Sequence, residues 1–139
     1  MLKKIPKILS PELVKILMEM GHGDEIVIAD GNFPSASHAQ NLVRADGHGV
    51  PELLEAILEL FPLDTYAKPV YLMAKVPGDP VPVPIWDTYR EIIKPHTNED
   101  VEMIERFAFY ERAKKAYAVL ATGETAIYAN IILKKGVVQ

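Results

Sequence analysis

Apolar residues fall first into a helical rhythm. Leu13, Ile16, Leu17 and Met20 share one face, Ser10 before Pro11-Glu12 is an N-cap pattern, and Gly21 can take positive φ as a helix stop, so the spacing predicts a helix over 10–20. The rhythm then changes to the continuous run Ile26-Val27-Ile28-Ala29, which predicts a strand buried on both faces and ending at Asp30. Asp30-Gly31-Asn32-Phe33-Pro34 is turn chemistry, and it opens a loop carrying Ser35, Ser37 and His38. A strand over 42–46 leads through Gly47-His48-Gly49 to a helix opened by Pro51, with Leu53, Leu54, Ile57, Leu58 and Phe61 as its apolar face and Pro62 at its end. After a loop at 63–66 comes a strand over 70–76, then an extended connection from Pro77 to Pro84. Ile85, Tyr89, Ile92 and Ile93 predict a further helix closed by Pro95. Beyond the polar stretch 96–100, residues 101–117 read as one helix with Arg106, Tyr110, Ala113 and Tyr117 on a common face. Strands over 118–122 and 126–133, joined by Gly123-Glu124, are expected to form an antiparallel hairpin. Strands alternating with helices predict an α/β layered domain, single over residues 1–139.

Charge and composition remove several function classes. The net charge is −4 and the longest basic run is a lysine pair, which argues against nucleic acid or an anionic membrane as main partner. The absence of cysteine removes disulfides, thiolate metal sites and thiol nucleophiles. Pro6, Lys7 and Pro11 interrupt the N-terminal stretch, so neither a signal peptide nor a membrane helix is expected, and the expected location is cytoplasmic.

The candidate chemistry sits around the first strand. His22 lies between Gly21 and Gly23, and Asp30 closes the other end. Seven intervening residues, fully extended, separate them by roughly 23 Å. They share a site only if the turn folds His22 back along the sheet or a neighbouring subunit supplies one of them. The alternatives are a capping or surface histidine and a turn-forming aspartate. Near the C-terminus, strand periodicity puts Tyr128 and Asn130 on one face, with Ile127, Ala129 and Ile131 on the other. A phenol beside an amide can bind sugar hydroxyls, or the pair is simply the polar face of a half-exposed strand. Phe107, Phe109, Tyr110 and Tyr117 read as core or as ligand-stacking residues. A metal site from His22, Asp30, His38 and His48 matches no ligand spacing.

Several motifs in order add a resemblance. Met20-Gly21-His22-Gly23-Asp24, Asp30 with Pro34, Val43-Arg44-Ala45-Asp46-Gly47, Arg106 to Arg112, and Thr122-Gly123-Glu124 with Tyr128 to Leu133 run through essentially the whole chain. Together they resemble the L-fucose mutarotase and D-ribose pyranase family, and within it the fucose branch. The ribose branch is expected to carry histidine in place of Arg106 and lysine in place of Tyr110. The resemblance implies a three-layer α/β/α domain that interconverts the α and β anomers of free L-fucose without a cofactor. It implies His22 as proton donor and Asp30, Arg106, Tyr128 and Asn130 as sugar-binding residues, with Asp64, Met73 and Tyr110 as further site positions. It also implies a homo-oligomer, up to a decamer, with sites near subunit contacts. A D-ribose pyranase, a broader monosaccharide mutarotase and a non-catalytic sugar-binding module remain as alternatives.

That activity has modest chemical needs. A proton goes to the ring oxygen as the C1–O5 bond opens, and another leaves the anomeric hydroxyl; both steps reverse after rotation about C1–C2. An imidazole exchanges protons near neutral pH, and positioned proton transfer is worth roughly 10²–10⁴-fold. Asp30 would accept from sugar hydroxyls, Asn130 would accept and donate, and Arg106 would donate. Met73 with an aromatic would line an apolar patch for the methyl group that fucose has and ribose lacks.

Overall fold

The computed structural model describes residues 1–139. Its strands are β1 (Glu25–Ala29), β2 (Leu42–Ala45), β3 (Val70–Met73), β4 (Glu102–Ile104), β5 (Ala118–Thr122) and β6 (Ile131–Lys134). The helices are α1 (Pro11–Glu19), α2 (Ser35–His38), α3 (Val50–Leu58), α4 (Ile85–Ile93) and α5 (Arg106–Lys115). One six-stranded sheet runs in the order β2-β5-β1-β6-β3-β4, with β6 antiparallel to both of its neighbours and all other pairs parallel.

Strand residues of alternating direction feed two cores, one on each face. Ile26 and Ile28, Val70 and Leu72, Ala118 and Leu120, and Ile131 and Leu133 pack with Leu13, Leu17, Leu53, Leu54, Ile57, Tyr89 and Ile93 of α1, α3 and α4. Val27 and Ala29, Tyr71 and Met73, Val119 and Ile132 pack with Phe33, Phe109 and Ala113 on the side of α5. The continuous apolar run of β1 therefore has its cause: helices cover both faces, and a central strand has no solvent side. The expected three-layer α/β/α architecture is the one observed. No helix is long and apolar enough to cross a membrane.

The helix start at Ser10 is as the sequence predicts: its Oγ accepts from the Leu13 amide at 3.1 Å. Several other expectations are corrected. The positive φ that turns the chain out of α1 belongs to Gly23, at 88°, and not to Gly21. Residues 101–117 are not one helix, because β4 occupies 102–104 at the sheet edge before α5 begins at Arg106. The strand expected over 70–76 stops at Met73, and the loop after Phe33 contains the short helix α2. The two last strands do not pair with each other: β1 lies between them, hydrogen-bonded to β5 on one side and β6 on the other. The link from Gly123 to Asn130 thus crosses over the end of β1 instead of making a tight hairpin.

That crossing is tightly held. Gly123 lies against Asp46, so close that a Cβ there would run into the Asp46 carbonyl oxygen. Thr122 Oγ1 donates to the Ala29 carbonyl at 2.7 Å, and the Gly31 amide donates to the Glu124 carbonyl at 2.8 Å. From α4, Trp86 Nε1 donates to the Tyr128 carbonyl at 2.8 Å and the fully buried Tyr89 hydroxyl donates to the Ala129 carbonyl at 2.7 Å. Burial, reinforced by nearby Glu124 and Asp30, pushes the Tyr89 phenol well above its usual range and keeps it a donor. Removing only that hydroxyl, as in Tyr89→Phe, leaves a buried carbonyl without its partner. The variant is expected to lose about 1–3 kcal/mol of stability, read as a lower urea midpoint at unchanged slope; an unmoved midpoint would show that the bond contributes nothing net.

Candidate active site

The crossing segment brings its side chains to the carboxyl end of β1, the usual place for ligands in α/β sheets. Asp30 and Asn130, both buried, hold each other there. The Asp30 amide donates to Asn130 Oδ1 at 2.8 Å, and the Ala129 amide donates to Asp30 Oδ2 at 3.3 Å. The Asn32 amide donates to Asp30 Oδ1 at 3.0 Å. Because a backbone N–H fixes which end of the Asn130 amide is oxygen, its two N–H donors are left for a ligand.

Around this pair lies a cleft of about 310 Å³. Met73 from the end of β3, Arg106 and Tyr110 from the first turns of α5, and Tyr128 from the crossing line it, together with Asn32, Phe33, Val76, Asp79 and Ile127. Arg106 has no carboxylate within ion-pair distance, so its guanidinium keeps its donors free; its Cζ lies 4.6 Å from the Phe107 ring centroid. Tyr110 is wedged against Phe33 and His38, with centroid distances of 5.6 Å to each. Of the aromatics read as core or stacking, Phe109 is core, Phe107 is 61% exposed, and Tyr110 faces the cleft. A larger cleft of about 1050 Å³ lies under the N-terminal segment between Met1 and Glu19, and it contains none of the expected site residues.

Tyr128 reaches the cleft by a route that strand periodicity does not describe. It lies in a turn before β6, with φ 54°, a left-handed conformation that costs a non-glycine residue about 1–2 kcal/mol. The expectation that Tyr128 and Asn130 emerge side by side from one strand is therefore corrected: the turn, held by Trp86 and Tyr89, aims them.

His22 and Asp64 are elsewhere. The antiparallel direction of β6 puts its far end, Lys134-Lys135, beside the opposite end of β1. There the Gly23 amide donates to the Lys135 carbonyl at 2.8 Å and the Asp64 amide donates to the Lys134 carbonyl at 3.0 Å. His22 Nε2 and Asp64 Oδ1 are 3.1 Å apart, and the imidazole packs against Tyr66 with ring centroids 5.3 Å apart and planes inclined at 52°. The His22 side chain is 45% exposed while that of Asp64 is 4% exposed. Burial pushes the Asp64 carboxyl up, but the Tyr66 amide, His22 and the Thr65 amide together bring it below its ordinary value. An ionised Asp64 only accepts, so Nε2 carries the hydrogen and Nδ1 is the ring nitrogen free to exchange a proton. The eight expected residues thus divide in two: Asp30, Met73, Arg106, Tyr110, Tyr128 and Asn130 meet at one end of the sheet, His22 and Asp64 at the other. His22, Asp30, His38 and His48 do not converge, and no group of three metal-ligating side chains forms anywhere in the chain.

Sequence reasoning missed Asn32, Phe33, Val76, Asp79 and Ile127, the last of which strand periodicity puts on the face opposite Tyr128. Asp79 and Val76 stand in and beside the proline-rich connection, which carries no periodic signal, and Asn32 reads in the sequence only as part of a turn.

A cleft of this size at the strand ends of a three-layer sheet, lined by paired hydrogen-bonding groups and one apolar side, could hold a small polyhydroxylated ligand. The chain belongs to the RbsD / FucU transport protein family, whose pattern it matches over residues 3–138. It is 55% identical to the fucose mutarotase of Danio rerio, over 99% of this chain and 94% of the relative. The fold superposes with a TM-score of 0.93 on the fucose mutarotase of Streptococcus pneumoniae in complex with L-fucose, at 58% identity over 99% of this chain and 100% of the other. With Bacillus subtilis RbsD complexed with D-ribose the TM-score is 0.75 and the identity 25%, over 94% of this chain and 95% of the other.

Asp30 gives the cleft a pH signature. Burial raises its carboxyl above the usual value, opposed by the amides of Asn32, Ala129 and Phe33, with Glu124 adding to the rise. A folded-state pKa above the unfolded one means that the folded chain holds the proton more tightly. The associated stability is complete below the unfolded carboxylate range and disappears as pH rises through the folded pKa. Asp30→Asn has no such proton. The melting temperature of the variant minus that of the wild type is expected to shift in the variant's favour between about pH 3 and about pH 7, whereas a constant difference would show that Asp30 titrates alike in both states.

Proposed function

We propose that this chain is an L-fucose mutarotase: an isomerase, formed as a single domain over residues 1–139, that interconverts the anomers of the free sugar by acid–base ring opening and closure. The observation that carries the reading is the hydroxyl-binding cleft around Asp30, Asn130 and Arg106 in a chain superposing closely on a fucose mutarotase bound to L-fucose. Arg106 and Tyr110 stand where the resemblance expects histidine and lysine in a ribose enzyme, and Met73 offers an apolar wall for the sugar's methyl group.

In this reading His22 supplies the mobile proton, and Asp64 sets its tautomer. Acting as the imidazolium, with Nε2–H held by Asp64, His22 delivers its Nδ1 proton to the ring oxygen as C1–O5 opens and is left neutral with a bare Nδ1 that can take the proton back. A group in the cleft, or water, takes the anomeric hydroxyl proton, leaving the open-chain aldehyde. Rotation about C1–C2 and the reverse transfers give the other anomer. Since β1 separates His22 from the cleft, the imidazole comes from a second copy of the chain, and the working enzyme is a homo-oligomer of up to ten subunits. A cytoplasmic location belongs to the same proposal.

Proton NMR saturation transfer between the α and β anomeric signals of equilibrated L-fucose, with D-ribose in parallel, tests the activity. Faster exchange with fucose than with ribose is expected; dominant ribose pyranose–furanose exchange would make the protein a pyranase. His22→Ala is expected to slow fucose exchange by roughly 10²–10⁴-fold with the fold intact, and full activity would remove His22 from the mechanism. Mixing His22→Ala with Arg106→Ala, each inactive alone, is expected to restore exchange once subunits have traded. A mixture that trades subunits yet stays inactive would rule out a site shared between copies.

A further inference from the structure

The cleft contains a carboxylate to which the mechanism above assigns no role. Asp79 stands in the proline-rich segment after β3, directly beyond Gly78, whose φ is 86°. The segment folds on itself: the Asp79 amide donates to the Val76 carbonyl at 3.0 Å and the Val81 amide donates to Asp79 Oδ1 at 3.0 Å. Lys75 Nζ donates to the Val81 carbonyl at 2.9 Å. The other carboxylate oxygen, Oδ2, accepts from the Tyr128 hydroxyl at 2.7 Å, and the Val76 amide donates to the same hydroxyl oxygen at 3.2 Å.

A phenol has one hydrogen to donate and room to accept two hydrogen bonds. An ionised carboxylate cannot donate, so the Tyr128 hydrogen must point at Asp79. The Val76 amide occupies one acceptor position, and a single acceptor position is left on an oxygen that lines the cleft. The Tyr128 bond is also the leading cause that holds the Asp79 carboxyl below its ordinary value, ahead of the Val81 amide and Lys75, so the carboxylate form is the one present at neutral pH.

We propose that Asp79 is a positioning residue that sets the polarity of the sugar contact: by taking the phenol hydrogen it makes Tyr128 an obligate acceptor for one ligand hydroxyl. The inference rests on the reading of this cleft as the L-fucose site. It completes a division of labour in which Arg106 and the Asn130 amide donate to sugar oxygens while Asp30 and Tyr128 accept from sugar hydroxyls. A hydroxyl facing Tyr128 must then donate, and a ligand group that can only accept is rejected at that position.

Asp79→Asn inverts this polarity with little change of shape. The Val81 amide keeps the new side chain's oxygen in place of Oδ1, which turns its NH₂ group toward Tyr128. The phenol oxygen then receives two donors, from that NH₂ group and from the Val76 amide, and must direct its own hydrogen into the cleft.

The test is a double-mutant cycle on the full chain with Asp79→Asn, Tyr128→Phe and both together. L-fucose affinity is read by NMR titration, and anomer exchange is read alongside it. Asp79→Asn is expected to weaken L-fucose binding by roughly tenfold in the wild-type background and to have no further effect once Tyr128 is phenylalanine. In a series of monofluorinated L-fucoses, the analogue carrying fluorine in place of the donating hydroxyl should bind worse than L-fucose to the wild type. That penalty should shrink or reverse in Asp79→Asn, which no merely structural role would produce. Equal losses from Asp79→Asn with and without the Tyr128 hydroxyl, or unchanged affinity, would overturn the proposal. A wild type that binds L-fucose without accelerating exchange would instead overturn the mutarotase reading, while the binding cycle would still decide the role of Asp79.

Discussion

The structure turns on the exchange of hydrogen bonds between Asp30 at the end of β1 and the Ala129-Asn130 pair just before β6, in which Asn130 Oδ1 accepts from the Asp30 amide and Asp30 Oδ2 accepts from the Ala129 amide. β6 is the only antiparallel strand in the sheet, and it must enter beside β1 from the carboxyl end of the parallel strands. The chain has to cross the sheet's end, and a crossing leaves backbone amides and carbonyls that no ladder can satisfy. Asp30 and Asn130 take up the amides, and Trp86 and Tyr89 take up the carbonyls. Asp30 and Asn130 then face the cleft, so part of its polar lining is a by-product of completing the backbone's hydrogen bonds.

β6 also explains why the candidate machinery divides. Its first residues adjoin Tyr128 and Asn130, and the carbonyls of its last residue, Lys134, and of Lys135 just beyond it receive the amides of Asp64 and Gly23. One strand therefore fixes both halves and keeps them a strand's length apart. On one side the Asp30 carboxyl is pushed up by burial; on the other Asp64 is held down by amides and an imidazole. Two buried aspartates at opposite ends of one strand thus have opposed proton affinities although each collects three donors: Glu124 adds to the rise at Asp30, whereas one of the donors to Asp64 is an imidazole.

Much of this is legible in the sequence, and the failures have physical reasons. The Ser10 cap, the doubly buried run of β1 and the apolar faces of α1, α3 and α4 are local patterns, and they appear where the spacing puts them. The length of β1 sets the reach between His22 and Asp30, but the sequence leaves open a turn that folds His22 back, and only the structure places His22 with Asp64 at the far end. Strand β4 escapes because three edge residues beside α5, two exposed and one half-buried, blend into its helical spacing. The terminal hairpin fails because pairing is non-local: the short Gly123-Glu124 link suggests a turn, yet β1 inserts between the two strands. Tyr128 reads as a strand residue since Tyr-Ala-Asn-Ile-Ile alternates well enough, and nothing in those letters announces a left-handed φ. Asp79 has no pattern to declare it, as the phenol it bonds lies 49 positions further along the chain.

The wall that carries Asp79 contains Pro77, Pro80, Pro82 and Pro84. Each proline fixes its own φ and restricts the residue before it, so the unfolded chain has less freedom to lose here than in an ordinary loop. The segment also offers few free amide hydrogens to a stray edge strand. A rim of this kind is stiff before anything binds. The entropy of ordering the Asp79 carboxylate has been surrendered during folding, and a ligand arriving at the cleft meets a wall that it does not have to organise.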